Sequence, residues 1–485
     1  MSSSHIYDAL SGSWFVLYST GVICVEYAKY KGSCWMHAFS SKCSAVFTET
    51  RSETSAREDV VAEYATDRFN TMVKNISTRL AATNIYYIKL FQAIAYSSDI
   101  ANEELNSFFR DYTDNVAFTS FEYNIDHLTE VINYAKSIGY DLKIPSFTPD
   151  KTGSISLVFY GTISKASREC NCQHIGHGDD DDDDDDFEYA NTSPVVIKYL
   201  RANMRERILS SISNFKYLVS ILNMIPSLRY LHLTDIYNEQ RIMMLDQINF
   251  EKEVGCIMSM GDTCKDARCI KIPTVFPEFT TKFPTIIVME RLIGKTLDQL
   301  DDGVKDHYCR SLARGLVKTV FVDGLYHCDL HPGNTIFIED RETETYKIGL
   351  IDFGIVDRVS AQEQELTYQL FRSIVKKDAD TTVRTLMEYY TEPYDARFFA
   401  DKSESKMLRE LRAYIDVMIC TAVTCFSAEN LCFINKLLIK NNLKVARSFT
   451  KFELSLSVCD NLCKKLAFER SYISHLNEIM DDAFE

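Results

Sequence analysis

The tightest constraint on this chain is the stretch Leu325-Tyr-His327-Cys-Asp329-Leu-His331-Pro-Gly-Asn334, followed 23 positions after Asp329 by Asp352-Phe353-Gly354. An Asp-x-x-x-x-Asn loop and then Asp-Phe-Gly is the spacing that phosphoryl transfer needs. One Asp orients the attacking hydroxyl, while the Asn and the second Asp hold Mg²⁺ against the phosphates. On that pattern Asp329 is the hydroxyl-orienting residue or base, and Asn334 and Asp352 are the metal ligands. The bland alternative is a polar loop capped by Pro332 and Gly333 with a chance Asp-Phe-Gly. The two spacings together, with an apolar strand from Tyr346 to Ile351 leading into Asp352, favour the enzyme.

The residues inside the loop are not those of an ordinary protein kinase, which carries His-Arg-Asp. His-x-Asp-x-His-Pro-Gly-Asn resembles the UbiB-like atypical kinases, the family tied to ubiquinone (coenzyme Q) biosynthesis. Further elements stand upstream in the family's order. Lys89-Leu-Phe-Gln92 resembles its Lys-x-Gly-Gln motif, and Gly153-Ser154-Ile-Ser156 with the strand to Gly161 resembles its phosphate loop. Pro194-Val-Val-Ile-Lys198 resembles the lysine strand, and Gln247-Ile-Asn249-Phe-x-x-Glu253 the Glu-x-Asp motif with its helix glutamate. The resemblance runs from about residue 85 to the C-terminus.

It implies an α+β, bilobal protein kinase-like fold: a β-rich small lobe, a helical large lobe and an N-terminal helical extension. It also implies ATP and Mg²⁺ as cofactors. Lys198 would neutralise the α- and β-phosphates, paired with Glu253, while Gly153, Ser154 and Ser156 let backbone N–H groups approach the nucleotide. Lys89 and Gln92 would approach the same cofactor from the extension. The expected activity is transfer or hydrolysis of the γ-phosphate, on a small-molecule or lipid-pathway substrate rather than a protein. The rivals are a pseudokinase acting as a nucleotide-binding scaffold and a phosphotransferase of the aminoglycoside or choline type.

Composition sets the outer limits. At 485 residues the chain has room for about three domain-sized units. With 25% charged and 46% apolar residues it has the make-up of a globular protein. The formal charge of -16 disfavours a nucleic-acid partner, and half of it comes from the run Asp179 to Asp186. Fifteen cysteines without regular spacing read as free thiols of an intracellular, reducing compartment rather than a disulfide framework. The apolar stretch Trp14 to Val25 is too short to span a bilayer. That from Val417 to Phe426 reads as a buried core helix, leaving peripheral membrane contact as the one membrane association open.

Along the chain, residues 1–83 match nothing recognisable, 84–150 form the helical extension, 151–290 the small lobe and 291–485 the large lobe. Residues 164–193 hold the acidic run and read as a disordered insert, since adjacent carboxylates repel. Arg291 to Gly294 is the expected hinge, and Tyr308 to Val322 the helix that delivers the catalytic loop. Three departures from the family pattern stand out: amides at Gln247 and Asn249 where carboxylates are expected, Phe91 in place of a glycine, and Gly153 in place of an alanine. Amides keep the hydrogen-bonding shape and lose the charge, which suggests a retuned site. Cys170-x-Cys172-x-His174-x-x-His177 offers four soft ligands, but a structural zinc site usually draws on two separated pairs.

Overall fold

The computed structural model describes residues 118–165, 192–224, 233–340, 345–389, 391–392 and 406–421, together with parts of 18–33, 53–88, 104–109 and 433–484. The chain divides into two compact units, one of Met1–Val116 with Asn203–Leu245, the other of Ala117–Ala202 with Asp246–Glu485. In the first, the helices Glu53–Ala81, Met204–Leu222 and Leu233–Asp246 carry the fold. Val22, Leu80, Tyr87, Leu105 and Phe109 form a buried cluster with Phe215 against it. Tyr237 donates to the carbonyl of Ile212 at 3.1 Å. Lys89, Gln92, the Asp179–Asp186 run and the Cys170–His177 cluster lie outside the described residues.

The second unit begins with α1 (Ile125–Ser137), whose first turn is capped by the Asn124 side chain, an acceptor for the Asp126 N–H at 2.8 Å. Leu128, Val131 and Ala135, spaced on one helical face, are buried. They cover an antiparallel sheet of β1 (Tyr140–Lys143), β2 (Lys151–Thr152), β3 (Ser156–Lys165), β4 (Thr192–Leu200) and β6 (Ile286–Glu290), in the order β1-β3-β4-β6 with β2 beside β3. Thus α1 and β1, within the stretch expected as helical extension, pack with this sheet.

Alternation along β3 sends Leu157, Phe159 and Ile163 inward. Gly161 is required there, because a Cβ would sit 2.6 Å from the Lys143 carbonyl oxygen on β1. The same alternation on β4 puts Val195 and Ile197 into the core under α1 and turns Lys198 to the opposite face. Between β4 and β6 in the chain comes α2 (Phe250–Thr263), then β5 (Ile270–Lys271).

After β6, Lys295 exchanges backbone bonds with Phe337 at 2.9 and 2.8 Å, tying the expected hinge to the large lobe. There α3 (Asp302–Leu316) runs on into a π-helical turn, Val317–Val322. The expected helix is therefore present, with a change of pitch in its last third. Gly324 follows at φ +62, where a Cβ would also crowd the Val359 carbonyl oxygen at 3.3 Å. The chain then enters β7 (Leu325–His327), β8 (Thr335–Asp340), β9 (Thr345–Leu350) and β10 (Val356–Arg358). β7 pairs with β10 and β8 with β9, both antiparallel, while β5 joins β9 in parallel.

Helices α4 (Ala361–Val375), α5 (Ala379–Tyr389), α6 (Lys406–Thr421) and α7 (Tyr472–Phe484) complete the lobe. In α6 Leu411, Ile415 and Ile419 are buried but Val417 is 61% exposed, so that helix is amphipathic rather than wholly internal. No helix among the described residues is long and apolar enough to cross a membrane.

Candidate active site

The two strand pairs aim two loops at one place. The loop Cys328–Asn334 lies between β7 and β8, and Ile351–Ile355 lies between β9 and β10. Backbone bonds join them: Cys328 N–H to the Ile355 carbonyl at 3.0 Å, and Ile351 N–H to the Asn334 carbonyl at 3.2 Å. His327 adds a side-chain joint. Its Nδ1 accepts from the Asp329 N–H at 3.2 Å, which places the ring proton on Nε2, and Nε2 donates to the Asp352 carbonyl oxygen. Asn334 Nδ2 donates to the Asp329 carbonyl at 3.0 Å and to its Oδ2 at 3.3 Å. With that nitrogen occupied, Oδ1 is the atom of Asn334 left for a cation. His331 accepts from the Gly333 N–H at 3.0 Å and lies 3.7 Å from Asp329 Oδ2, a supporting place within the loop.

Lys198 projects from β4 into the group. Its Nζ lies 2.6 Å from Glu253 Oε1 and 3.0 Å from Asp352 Oδ2. Glu253 Oε1 also accepts from the Phe353 N–H at 3.3 Å, and Asp352 Oδ1 accepts from the Gly354 N–H at 3.0 Å. Burial pulls the Lys198 pKa down, but the carboxylates of Asp352 and Glu253 outweigh it and hold the ammonium above the ordinary lysine value. Burial pushes the Glu253 carboxyl up, with Lys198 pulling against it. Asp329 and Asp352 keep side-chain exposures of 28% and 38%, so both can meet a solute.

Gly153 and Ser156 close the β2–β3 turn through the Gly153 N–H and the Ser156 carbonyl, 2.9 Å apart. Ser154 and Ser156 are buried. Register pairs Ser156 with Leu200 and Val158 with Lys198, which puts Ser156 on the lysine's face of the sheet. The turn is braced from behind, since Arg201 N–H bonds the Ile155 carbonyl at 3.0 Å and the Arg201 guanidinium meets Glu122 at 2.6 Å.

Asn249 has a different place from the one its motif position suggests. It is the N-cap of α2, with Oδ1 accepting from the Lys252 N–H at 3.0 Å. Aspartate could cap equally well. Asn249→Ala is expected to lower stability by about 1 kcal/mol, and Asn249→Asp to leave it nearly unchanged. Chemical denaturation of the two variants checks this, and equal losses would show that the cap is idle. Gln247 packs beside the metal loop, its Cγ 3.4 Å from where a Gly354 Cβ would stand.

The oxygen donors Asn334 and Asp352 fit a hard divalent cation that completes its shell with water and phosphate oxygens. Among the described residues no group of three or more His, Cys, Asp or Glu forms an all-protein metal cage. Sequence reasoning assigned no task to His327 although it stands in the loop motif, and it passed over Arg201 and Glu122. The one available signal was the His two positions before Asp329, since the remaining partners meet only through strand pairing.

Residues 188–386 match the ABC1 atypical kinase-like domain. The lysine strand, the helix of Glu253 and both loops fall within that matched segment. Curated relatives include the probable protein kinase UbiB of Shewanella sp. strain MR-4, 25% identical over 195 residues that make up 39% of this chain and 35% of that protein. The protein of the same description from Shewanella putrefaciens is 24% identical over the same shares. The chain thus spans about a third of the length of the curated relatives it matches. Among solved structures, Rv3197 of Mycobacterium tuberculosis, in complex with erythromycin, is 14% identical with a TM-score of 0.46, covering 88% of this chain and 98% of that one. Over this segment the chain is similar to the UbiB-like atypical kinases.

Proposed function

We propose that the protein binds Mg²⁺-ATP and transfers or hydrolyses its γ-phosphate, with a small molecule or a lipid-pathway compound as acceptor. The observation that carries this reading is the meeting of Lys198, Glu253 and Asp352 within 3.0 Å, beside an Asp329 held by Asn334. When bound, Mg²⁺ supplies charge neutralisation on the phosphates. Lys198, kept cationic by its two carboxylate neighbours, grips the phosphates, and Glu253 holds it in place from α2. Asn334 Oδ1 and the Asp352 carboxylate would hold the cation. The Gly153–Ser156 turn presents backbone N–H groups. Asp329, oriented by Asn334 and by the His327 ring at its own N–H, accepts a hydrogen bond from the attacking hydroxyl or water. The small-molecule acceptor rests on the family resemblance.

The test is ADP release, with and without candidate lipids, by the wild-type chain and the Asp329→Asn variant. Turnover is expected to fall at least about a hundredfold, with ATP affinity kept within about twofold. A variant as fast as wild type would remove Asp329 from the chemistry.

A further inference from the structure

The segment leaving the metal loop runs along α2 and touches it and the residues before it at three levels. Gly354 packs on Gln247, Phe353 N–H bonds Glu253 at 3.3 Å, and Arg358 Nη2 bonds Ser259 Oγ at 2.6 Å. Ser259 stands six residues beyond Glu253, or about 9 Å further along the helix. Arg358 is the last residue of β10, and β10 is paired through Val356 and Arg358 to His327 and Leu325, immediately before the catalytic loop. One guanidinium therefore joins the strand that follows the metal loop, itself paired to the strand before the catalytic loop, to the helix that carries Glu253.

Val254, Ile257 and Met260 hold the inner side of α2 in the core, but a helix packed on one side can still roll about that side, and a roll would draw the carboxylate from Lys198. A second hold beyond Glu253 removes that freedom. From this we infer that Arg358 is a positioning residue: by gripping Ser259 it sets the angle of α2 and keeps Glu253 on Lys198 in the geometry that serves the phosphates. The inference rests on the phosphoryl-transfer reading and adds a residue to it. Neither Arg358 nor Ser259 stands within the loops themselves. Arg358 is exposed and Ser259 half-buried, so truncating either leaves the core in place.

The test compares Arg358→Ala, Arg358→Lys, Ser259→Ala and the double Arg358→Ala/Ser259→Ala chain. Arg358→Ala is expected to lower kcat about fivefold while KM for ATP stays within about twofold, the fall expected from losing one charge-assisted bond. Arg358→Lys, which keeps a donor, should recover about half of that loss. The double variant should be no slower than either single one, because both remove the same contact. Hydrogen exchange of the backbone amides of Phe250–Thr263 should quicken about fivefold in Arg358→Ala. Unchanged exchange with unchanged kcat overturns the inference, and so do additive losses in the double variant. If the wild-type chain releases no ADP, the transfer reading fails by itself, and the exchange measurement still decides whether Arg358 holds α2.

Discussion

Replacing Lys198 with methionine is expected to lower stability and abolish turnover together. Lys198 is 8% exposed and its partner Glu253 only 2%, with Glu253 Oε2 already lacking a hydrogen-bond partner. Removing the ammonium strands a carboxylate in the interior, a change that costs about 3–5 kcal/mol where buried pairs are broken from one side. The loss should depend on pH. In the unfolded chain Glu253 titrates in the ordinary glutamate range, whereas burial raises it in the fold, and loss of Lys198 removes what pulls it down. A raised folded pKa means the folded variant binds the extra proton, so its stability falls as pH rises. The deficit against wild type should therefore be larger near about pH 8 than near about pH 5. In wild type the sign for Lys198 is also that of a raised group: its contribution is complete below the ordinary lysine range and is lost only above it. Thermal melts at both pH values decide the matter. A second variant, Lys198→Met with Glu253→Leu, should regain most of the stability and none of the turnover, which separates the structural task of the pair from the catalytic one.

Asp352→Asn is expected to do the reverse, sparing the fold and ending the chemistry. The side chain is 38% exposed and bonds Gly354 N–H and Lys198, bonds that an amide oxygen can partly reproduce. What the change removes is the negative charge that would face the proposed cation. Metal ligation of this kind supplies several kcal/mol of transition-state stabilisation, so turnover should drop at least about a thousandfold. The melting temperature without ligand should stay close to wild type, while the shift caused by ATP with Mg²⁺ disappears. An undiminished nucleotide-induced shift would remove Asp352 from the metal site.

The legible parts of this site are those whose spacing chemistry dictates. Asp329, Asn334 and Asp352 stand at the intervals expected of a site for a hydroxyl, a cation and a phosphate, and the strands around them follow from their apolar runs. Lys198 and Glu253, 55 positions apart, cannot be matched by spacing, and it is the family resemblance that pairs them. Asn249 shows the opposite case. A motif position pointed to the cleft, while local physics made it the cap of α2, a place that an Asn directly before an apolar-periodic run could have signalled. The roles of His327 and Arg358 depend on β7 lying against β10 and on β10 lying along α2, contacts between residues far apart in the chain that no local pattern encodes.

The His327 ring, bonded on one side to the backbone of Asp329 and on the other to the backbone of Asp352, makes the acceptor-facing and cation-facing halves of the site neighbours through one rigid plane. Under the proposed function, a cation that draws on Asp352 would pull on the same ring that orients Asp329. Occupancy at one half would then be felt at the other, and thermodynamic reciprocity would require each to change the other's affinity by the same factor. The two reactants would then be interdependent guests, linked through a single imidazole.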